Sequence, residues 1–174
     1  MYILSAKENS EATDDGTYSL GMLDPVNDLE LYINYPVDTP ASGEIMTRRP
    51  LFHHIMMQKE YFSQYHEYYR MFIDGYFESG LFEQRVSMAV NMISPYVKKD
   101  PTAYISYEDY VTGVETITEF CRLRAKSVDL QLAGIIPSTI KGQSAQGGKE
   151  NFIPGDTVWL PDMGEIADLK NGVH

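Results

Sequence analysis

The sequence has little of what holds a disulfide-bonded or metal-dependent fold together, because Cys121 is the only cysteine among its 174 residues. One thiol can form neither an internal disulfide nor a cysteine-rich zinc site, so both classes of protein are excluded. A chain of this length is typical of one domain, or of one domain with a tail. It buries enough surface on folding to be stable without such crosslinks.

Positive charge is also scarce. The chain has 14 Lys and Arg residues against 25 Asp and Glu residues, for a formal net charge of −11. Such a surface repels the phosphate backbone of nucleic acids and anionic lipid, so we expect neither nucleic acid nor membrane partners. No apolar run approaches the roughly 20 residues that a transmembrane helix requires. These features predict a soluble acidic protein.

The common catalytic motifs are missing as well. The sequence contains no nucleophile elbow, no P-loop, no dinucleotide-binding glycine fingerprint and no zinc-protease motif. His53 and His54 are adjacent, and neighbouring side chains on a helix point about 100° apart, so the two do not face one metal ion. Cys121 falls on an apolar helix face and is interpreted as an inert thiol. We therefore predict no catalytic residue in this chain.

The first part of the chain, residues 1–47, is rich in Asp, Asn, Gly, Pro and Thr. This composition predicts a loop-rich segment with short, weak strands at residues 2–4, 18–22 and 29–33. Pro36 and Pro40 lack backbone donors and favour extended conformations in the residues before them. Residues 34–40 are therefore expected to form an extended segment, here called the strap.

A helical pattern begins near residue 48, where apolar residues recur at steps of three and four. It predicts a helical subdomain over residues 48–137. Ser106 and Asp109 have the spacing of a capping box, and Gly134 is placed to end the last helix. The four predicted helices cover residues 50–57, 59–77, 80–98 and 107–133.

The last part of the chain, residues 138–174, is expected to be a linker and an extended tail. Residues 138–150 are mostly Ser, Thr, Gly, Gln and Lys without apolar period. Residues 157–160 read as one short strand. The predicted fold class is thus mainly α, with four helices, an irregular and weakly β N-terminal segment and an extended tail.

Thirteen tyrosines and one tryptophan suggest a contact surface, because aromatic residues are enriched at interface hot spots. Tyr61 and Tyr65 on the second predicted helix and Trp159 in the tail are the candidate interaction residues. The alternative is that the tyrosines fill the helical core. Three basic residues of the last helix, Arg122, Arg124 and Lys126, are expected to pair with carboxylates on other helices.

Several segments together resemble the C-terminal part of the spore coat protein H (CotH) kinase family. The resemblance covers about residues 30–140, and a short piece at residues 160–164 is also similar to a family ending. The matching segments occur in the family's order, which makes the resemblance specific. They include NYPVDTP at residues 34–40, YHEY at 65–68, YFESGLFE at 76–83, ISPYVKKDPTA at 93–103 and IPST at 136–139.

The resemblance implies a C-lobe-like helical subdomain of an atypical protein kinase, located in the spore coat or at the cell surface or outside the cell. Members of the family bind ATP with a divalent metal such as Mg and phosphorylate Ser or Thr on coat or secreted proteins. Phosphoryl transfer needs a Lys on the nucleotide phosphates and a catalytic Asp in a loop. Neither family segment is recognised in this chain, so we expect it to be inactive alone and to need no cofactor.

One remnant of the family's metal site is suggested by the resemblance. The family segment reads Trp-Asp-Tyr-Asn-Leu-Ala-Phe-Gly, and Asp15 and Gly21 keep its spacing from Asp to Gly. The Trp and Asn positions hold Asp14 and Thr17 instead, and a simple Asp-Gly turn also fits. Asp15 is thus a candidate metal ligand.

Two functions follow. The chain is either the C-terminal subdomain of such a kinase, whose partner is the remainder of the kinase domain, or a non-catalytic structural or protein-binding module. The second would bind spore coat or extracellular proteins.

Overall fold

The computed structural model describes residue 23, residues 27–40 and residues 46–164. Within these residues the chain is mainly helical, as predicted, and contains no β-strand. No helix in the described ranges is long and apolar enough to cross a bilayer. The α-helices are α1 (Leu29–Ile33), α2 (Pro50–Met56), α3 (Lys59–Phe72), α4 (Leu81–Val97), α5 (Tyr107–Leu132) and α6 (Ile140–Ser144).

The four helices predicted from the apolar period are α2 to α5. The two ends of α5 show why the sequence signals were sufficient to predict the bounds of this helix. Ser106 and Asp109 form the reciprocal capping box at its start. At its end Gly134 takes φ +74°, and the N–H of Ile135 donates to the carbonyl of Leu130 at 2.9 Å. This left-handed glycine closes the helix, because residues with a side chain rarely adopt such a φ.

The helix predicted over residues 59–77 consists of two parts. α3 continues directly into a π-helical turn, Ile73–Glu78, and the chain then reverses at Gly80, which has φ +75°. The rings of Phe77 and Phe82 lie 4.8 Å apart and join this turn to the start of α4. Phe82 is the one buried residue of α4, so this helix is attached to the core mainly at its N-terminal end.

The expected strand at residues 29–33 is wrong, since these residues form α1. Leu31 and Ile33 are buried, and α1 packs on α5. Asn34 stabilises the end of the short helix, because both its backbone N–H and its side-chain amide donate to the Glu30 carbonyl, at 2.9 and 2.8 Å. Burial and this cap override the local preference for a strand. The strands expected at residues 2–4 and 18–22 lie outside the described residues.

The expected linker also has more structure than its composition indicated. Thr139 caps α6 through a hydrogen bond from the Gly142 N–H at 3.1 Å, and Ile140 and Gln143 are buried. The strand expected at residues 157–160 is wrong as well. A turn there leads into a 3₁₀-helix, Leu160–Met163. This 3₁₀-helix packs on α5 at Gly113, where a side-chain Cβ would lie 2.9 Å from the Asp162 carbonyl oxygen.

The apolar core of the described residues contains two clusters, and the strap contributes to one of them. One contains Val37 of the strap with Ile73, Ala125 and Val128. The other groups Ile33, Ile136 and Ile153. The strap forms neither helix nor strand, yet Asn34, Pro36, Val37 and Asp38 are all buried. It therefore runs through the interior of the protein.

Side-chain amides hold the strap in place. The Asn34 side chain donates to the Ile153 carbonyl at 2.8 Å, and its oxygen accepts from the Ile153 N–H at 3.0 Å and from the Ser127 hydroxyl at 2.9 Å. Gln131 accepts from the Val37 N–H at 3.0 Å, and Gln143 donates to the Asn34 carbonyl at 2.7 Å. These bonds replace the ladder that a neighbouring strand would supply, since buried backbone groups need partners.

We expect Asn34→Ala to lower the free energy of unfolding by about 3 kcal/mol or more, because each buried group left unpaired costs about 1–3 kcal/mol. The measurement is urea unfolding followed by circular dichroism. Asn91→Ala is the control, because Asn91 is exposed and its amide is 3.5 Å from the Ser87 hydroxyl. It should change stability by about 0.5 kcal/mol or less. Equal effects of the two substitutions would contradict the central role of Asn34.

Candidate functional site

The strap ends in a close contact with α3. The Asp38 carboxylate lies 2.6 Å from Nε2 of His66, and the side chain of Asp38 is only 7% exposed. The Phe62 ring lies against the imidazole, with ring centroids 4.3 Å apart. The backbone N–H of Asp38 donates to the Ser138 carbonyl at 2.9 Å. The pair thus joins the strap to α3 on one side and to the segment before α6 on the other.

Tyr65 precedes His66 on α3, and its side chain is directed at the strap. Its hydroxyl donates to the Val37 carbonyl at 2.8 Å, and the Tyr69 hydroxyl is 3.4 Å away. Burial, with the Tyr69 hydrogen bond, raises the pKa of the Tyr65 phenol well above its usual range. Tyr65 is therefore a neutral group whose hydroxyl bonds inside the protein. Its suggested role in binding a partner stays a prediction.

Arg124 approaches the strap from α5. Its guanidinium donates to the Ile33 carbonyl at 3.1 Å. Burial lowers the pKa of Arg124, and the nearby Tyr69 and Tyr65 oppose that shift, but an arginine stays charged in proteins. Within the described ranges it has no carboxylate partner, so the expectation that it forms an ion pair across helices is wrong.

Of the other two basic residues of α5, one forms an ion pair with another helix and one does not. Arg122 does pair across helices as expected, with Glu83 at 2.9 Å. Lys126 is exposed, and no carboxylate of a described residue forms an ion pair with it.

The part of the chain that the structure describes contains no group of three or more His, Cys, Asp or Glu side chains that would hold a metal ion. Asp38 and His66 form only a pair, and the rings of His53 and His54 lie 5.8 Å apart on α2. Asp15, the candidate metal ligand, lies outside the described residues. The described residues around the strap thus form a structural junction.

A shallow hollow of about 390 Å³ lies between the first half of α5 and the 3₁₀-helix. Two carboxylates line it, those of Asp109 and Asp162. The Asp109 carboxylate is already bonded to the N–H and the hydroxyl of Ser106 in the capping box. The hollow therefore does not offer a pair of free carboxylates.

Open apolar surface is the second feature of the molecule. Tyr61 and Trp159, two of the candidate interaction residues, are 52% and 51% exposed. Tyr61 does not stand alone, because further exposed apolar residues follow it at helical spacing on the side of α3 away from the core. This set, here called the α3 stripe, consists of Tyr61, Tyr68, Met71 and Phe72.

A comparable surface on α4 escaped the sequence analysis. Met88, Met92 and Tyr96 follow each other at four-residue steps and are 55%, 67% and 76% exposed. We call this set the α4 stripe. The signal was present as a second apolar series beside the one that contains Phe82, but a helix with two apolar series reads as a helix with one broad core face. Only the packing shows which series is directed at the core, and of that series Phe82 is the residue that is buried.

The family comparison agrees with the resemblance described above. The model of a family described as CotH kinase protein matches residues 15–128, well over half of the chain. The matched region contains the strap and most of the helices, and it ends within α5. No curated protein and no solved structure matches the chain.

Tyr65→Phe tests the hydroxyl at the strap. Removing it leaves the Val37 carbonyl without this donor, and we expect a loss of about 1–2 kcal/mol in unfolding free energy. Tyr68→Phe, at a residue that is 66% exposed, should have almost no effect. Both are measured by urea unfolding. A Tyr65→Phe variant as stable as the Tyr68→Phe variant would show that the hydrogen bond contributes nothing.

The reactivity of Cys121 gives a pH-dependent test. The residue is partly buried, and burial raises the pKa of its thiol. A raised pKa means less reactive thiolate at any given pH, so at pH 8 the folded chain should react with a disulfide reagent about tenfold or more slower than the urea-unfolded chain. The ratio should shrink as the pH rises above the thiol's pKa. The Cys121→Ser variant supplies the blank, and equal rates would contradict the inert assignment.

Proposed function

This chain belongs to the CotH kinase protein family, and we propose that it forms the helical C-terminal subdomain of an atypical protein kinase of that family. In this proposal the subdomain resembles a kinase C-lobe. The complete enzyme binds ATP and Mg and transfers phosphate to Ser or Thr of coat or secreted proteins. The chain itself supplies a rigid helical support and is inactive alone.

The observation that carries the proposal is the buried strap within the matched region. The strap follows the segment in which the family's metal-binding Asp is expected, at Asp15. Its position is determined by Asn34, by the contact between Asp38 and His66, and by Tyr65. Phosphoryl transfer depends on holding groups in place to within fractions of an ångström. A strap fixed at so many points suits a segment that positions a site preceding it.

The proposed inactivity rests on chemistry that the sequence does not supply. Phosphoryl transfer needs a Lys on the phosphates, a catalytic Asp and a pair of metal ligands. No segment resembles the Lys segment or the catalytic loop of the family, and Asp15 is the single candidate ligand. We therefore expect no cofactor for this chain, and ATP with Mg for the complete enzyme.

The partners and the location belong to the same proposal. The remainder of the kinase domain is the first expected partner, and spore coat or extracellular proteins are the others. The net charge of −11 supports a partner that is neither nucleic acid nor an anionic membrane. The family suggests the spore coat, the cell surface or the outside of the cell as the location.

A second candidate function is a non-catalytic structural or protein-binding module. The exposure of Tyr61 and Trp159 favours it, because large aromatic side chains left open on a small domain are common in contact surfaces. This function requires neither ATP nor the rest of a kinase.

The test of inactivity is Mg-dependent ATP hydrolysis and autophosphorylation by the 174-residue chain. We expect rates equal to those without protein. Asp15→Ala is the matched control. If the chain itself is active and uses a metal ion bound by Asp15, this variant must lose the activity. Mg-dependent activity that is lost in Asp15→Ala would overturn the inactivity and assign Asp15 as a metal ligand.

The coding sequence before residue 1 separates the two candidate functions. An upstream segment that encodes the family's Lys and catalytic loop, in frame with this chain, is the result expected for a kinase subdomain. A stop codon directly upstream would favour the independent binding module instead.

A further inference from the structure

We propose that this chain associates head to tail with further copies of itself, the α4 stripe of one copy packing against the α3 stripe of the next. The inference goes beyond the proposed function, because it needs no nucleotide and no other part of a kinase. It rests on the charges that border the two stripes.

Positive side chains outnumber negative ones beside the α4 stripe. Arg85 is exposed and lies on the same side of α4 as Met92, and Lys99 is exposed in the turn just after the helix. Neither forms an ion pair with another described residue. The acidic residue of this helix, Glu83, is bound to Arg122 of α5 at 2.9 Å. Lys98 is directed elsewhere, since its ammonium lies 5.2 Å from the centre of the Tyr107 ring.

One carboxylate lies near the end of this surface. Asp100 shares a shallow groove with Met92, Tyr96 and Lys99. It accepts hydrogen bonds from the N–H and the hydroxyl of Thr102 at 2.8 and 2.7 Å, and these bonds lower the pKa of its carboxyl. Asp100 is thus an ionised carboxylate beside Lys99. With Arg85, Lys98 and Lys99 on one side of the balance and Asp100 on the other, the charge around the α4 stripe is net positive.

The α3 stripe has the opposite border. Glu60 and Glu67 are exposed and lie two turns apart beside the stripe, and Asp74 is exposed in the π-helical turn that follows α3. None of the three forms an ion pair within the described ranges. Arg70 is occupied on another side of the helix, where it lies 3.6 Å from Asp129. The α3 stripe is therefore an apolar surface bordered by free carboxylates.

The two borders are complementary in charge. When the two stripes pack lengthwise, the carboxylates beside the α3 stripe face the cations beside the α4 stripe. The Met and aromatic side chains between them then bury one another, and Met adapts readily to such contacts.

Contacts between like stripes are disfavoured. Two α4 stripes would oppose Arg85 and Lys99 with the same cations, and two α3 stripes would oppose carboxylates with carboxylates, which costs free energy at an interface. The complementary contact is thus between unlike faces. Such a head-to-tail interface leaves one α3 stripe and one α4 stripe free at the ends of every open assembly. Further copies add there until the assembly closes into a ring, or it grows as an open chain.

The experiment is sedimentation velocity of the 174-residue chain over a range of concentrations. We expect the average mass to rise with concentration beyond that of a dimer, and to fall when salt screens the charges. Two blocked variants are made. Arg85→Glu with Met92→Glu blocks the α4 stripe, and Glu67→Lys with Tyr68→Lys blocks the α3 stripe. Each variant alone should associate about tenfold or more weakly than the unaltered chain.

Mixing the two blocked variants gives the deciding result. Each retains the stripe that the other lacks, so an equimolar mixture should form a one-to-one dimer that grows no further. Lys126→Glu, at an exposed residue of α5 outside both stripes, is the control and should associate like the unaltered chain. All substituted residues are exposed, so circular dichroism spectra should superimpose. The charge-only pair Arg85→Glu with Lys99→Glu repeats the test with the stripe intact.

Three results would overturn the inference. A chain that stays monomeric at every concentration and at low salt assigns the stripes to another partner or to none. A blocked variant that still forms dimers as tightly as the unaltered chain indicates contact between like faces. A mixture of the blocked variants that stays monomeric shows that the stripes do not bind each other.

Discussion

The hydrogen bonds of the Asn34 side chain connect segments that are far apart in sequence. The amide bonds to α1 through Glu30, to α5 through Ser127 and to the last part of the chain through Ile153. An amide can donate and accept at once, which is why one side chain serves all of these segments. Ile33, directly before Asn34, belongs to one cluster of the core, and Val37 of the strap belongs to the other. The bonds of Asn34 thus lie where the two clusters are joined by the chain.

The same packing explains why α3 and α4 have exposed apolar residues. The strap and the segments that follow α5 occupy part of the interior, so only one side of α3 and of α4 packs against the core. α3 turns Tyr65 and Tyr69 inward and leaves the α3 stripe open, while α4 is attached mainly through Phe82. The same packing therefore leaves two apolar surfaces open, and each is bordered by exposed charged residues.

The helices were predictable because their signals are local. The apolar period of α2 to α5, the capping box at Ser106 and the glycine that ends α5 act over a few residues, and no distant contact is needed to read them. The prolines likewise indicated a strap without helix or strand. For the candidate site the sequence indicated which residues are aromatic but not their roles, so Tyr61 and Tyr65 looked equivalent although one is open and the other bonds to Val37.

By itself, the sequence determined the mainly helical class, the helices α2 to α5, the negative net charge and the family. The tertiary structure alone decided that residues 29–33 form a helix and that Gln131 and Gln143 lie inside, since polar composition normally indicates exposure. It also decided that Phe82 is the one residue of α4 that is buried. The common physical reason is that each of these features depends on contacts between distant segments. A buried amide is stable only when such segments supply its hydrogen-bond partners, and an apolar helix face is buried only where another segment packs against it.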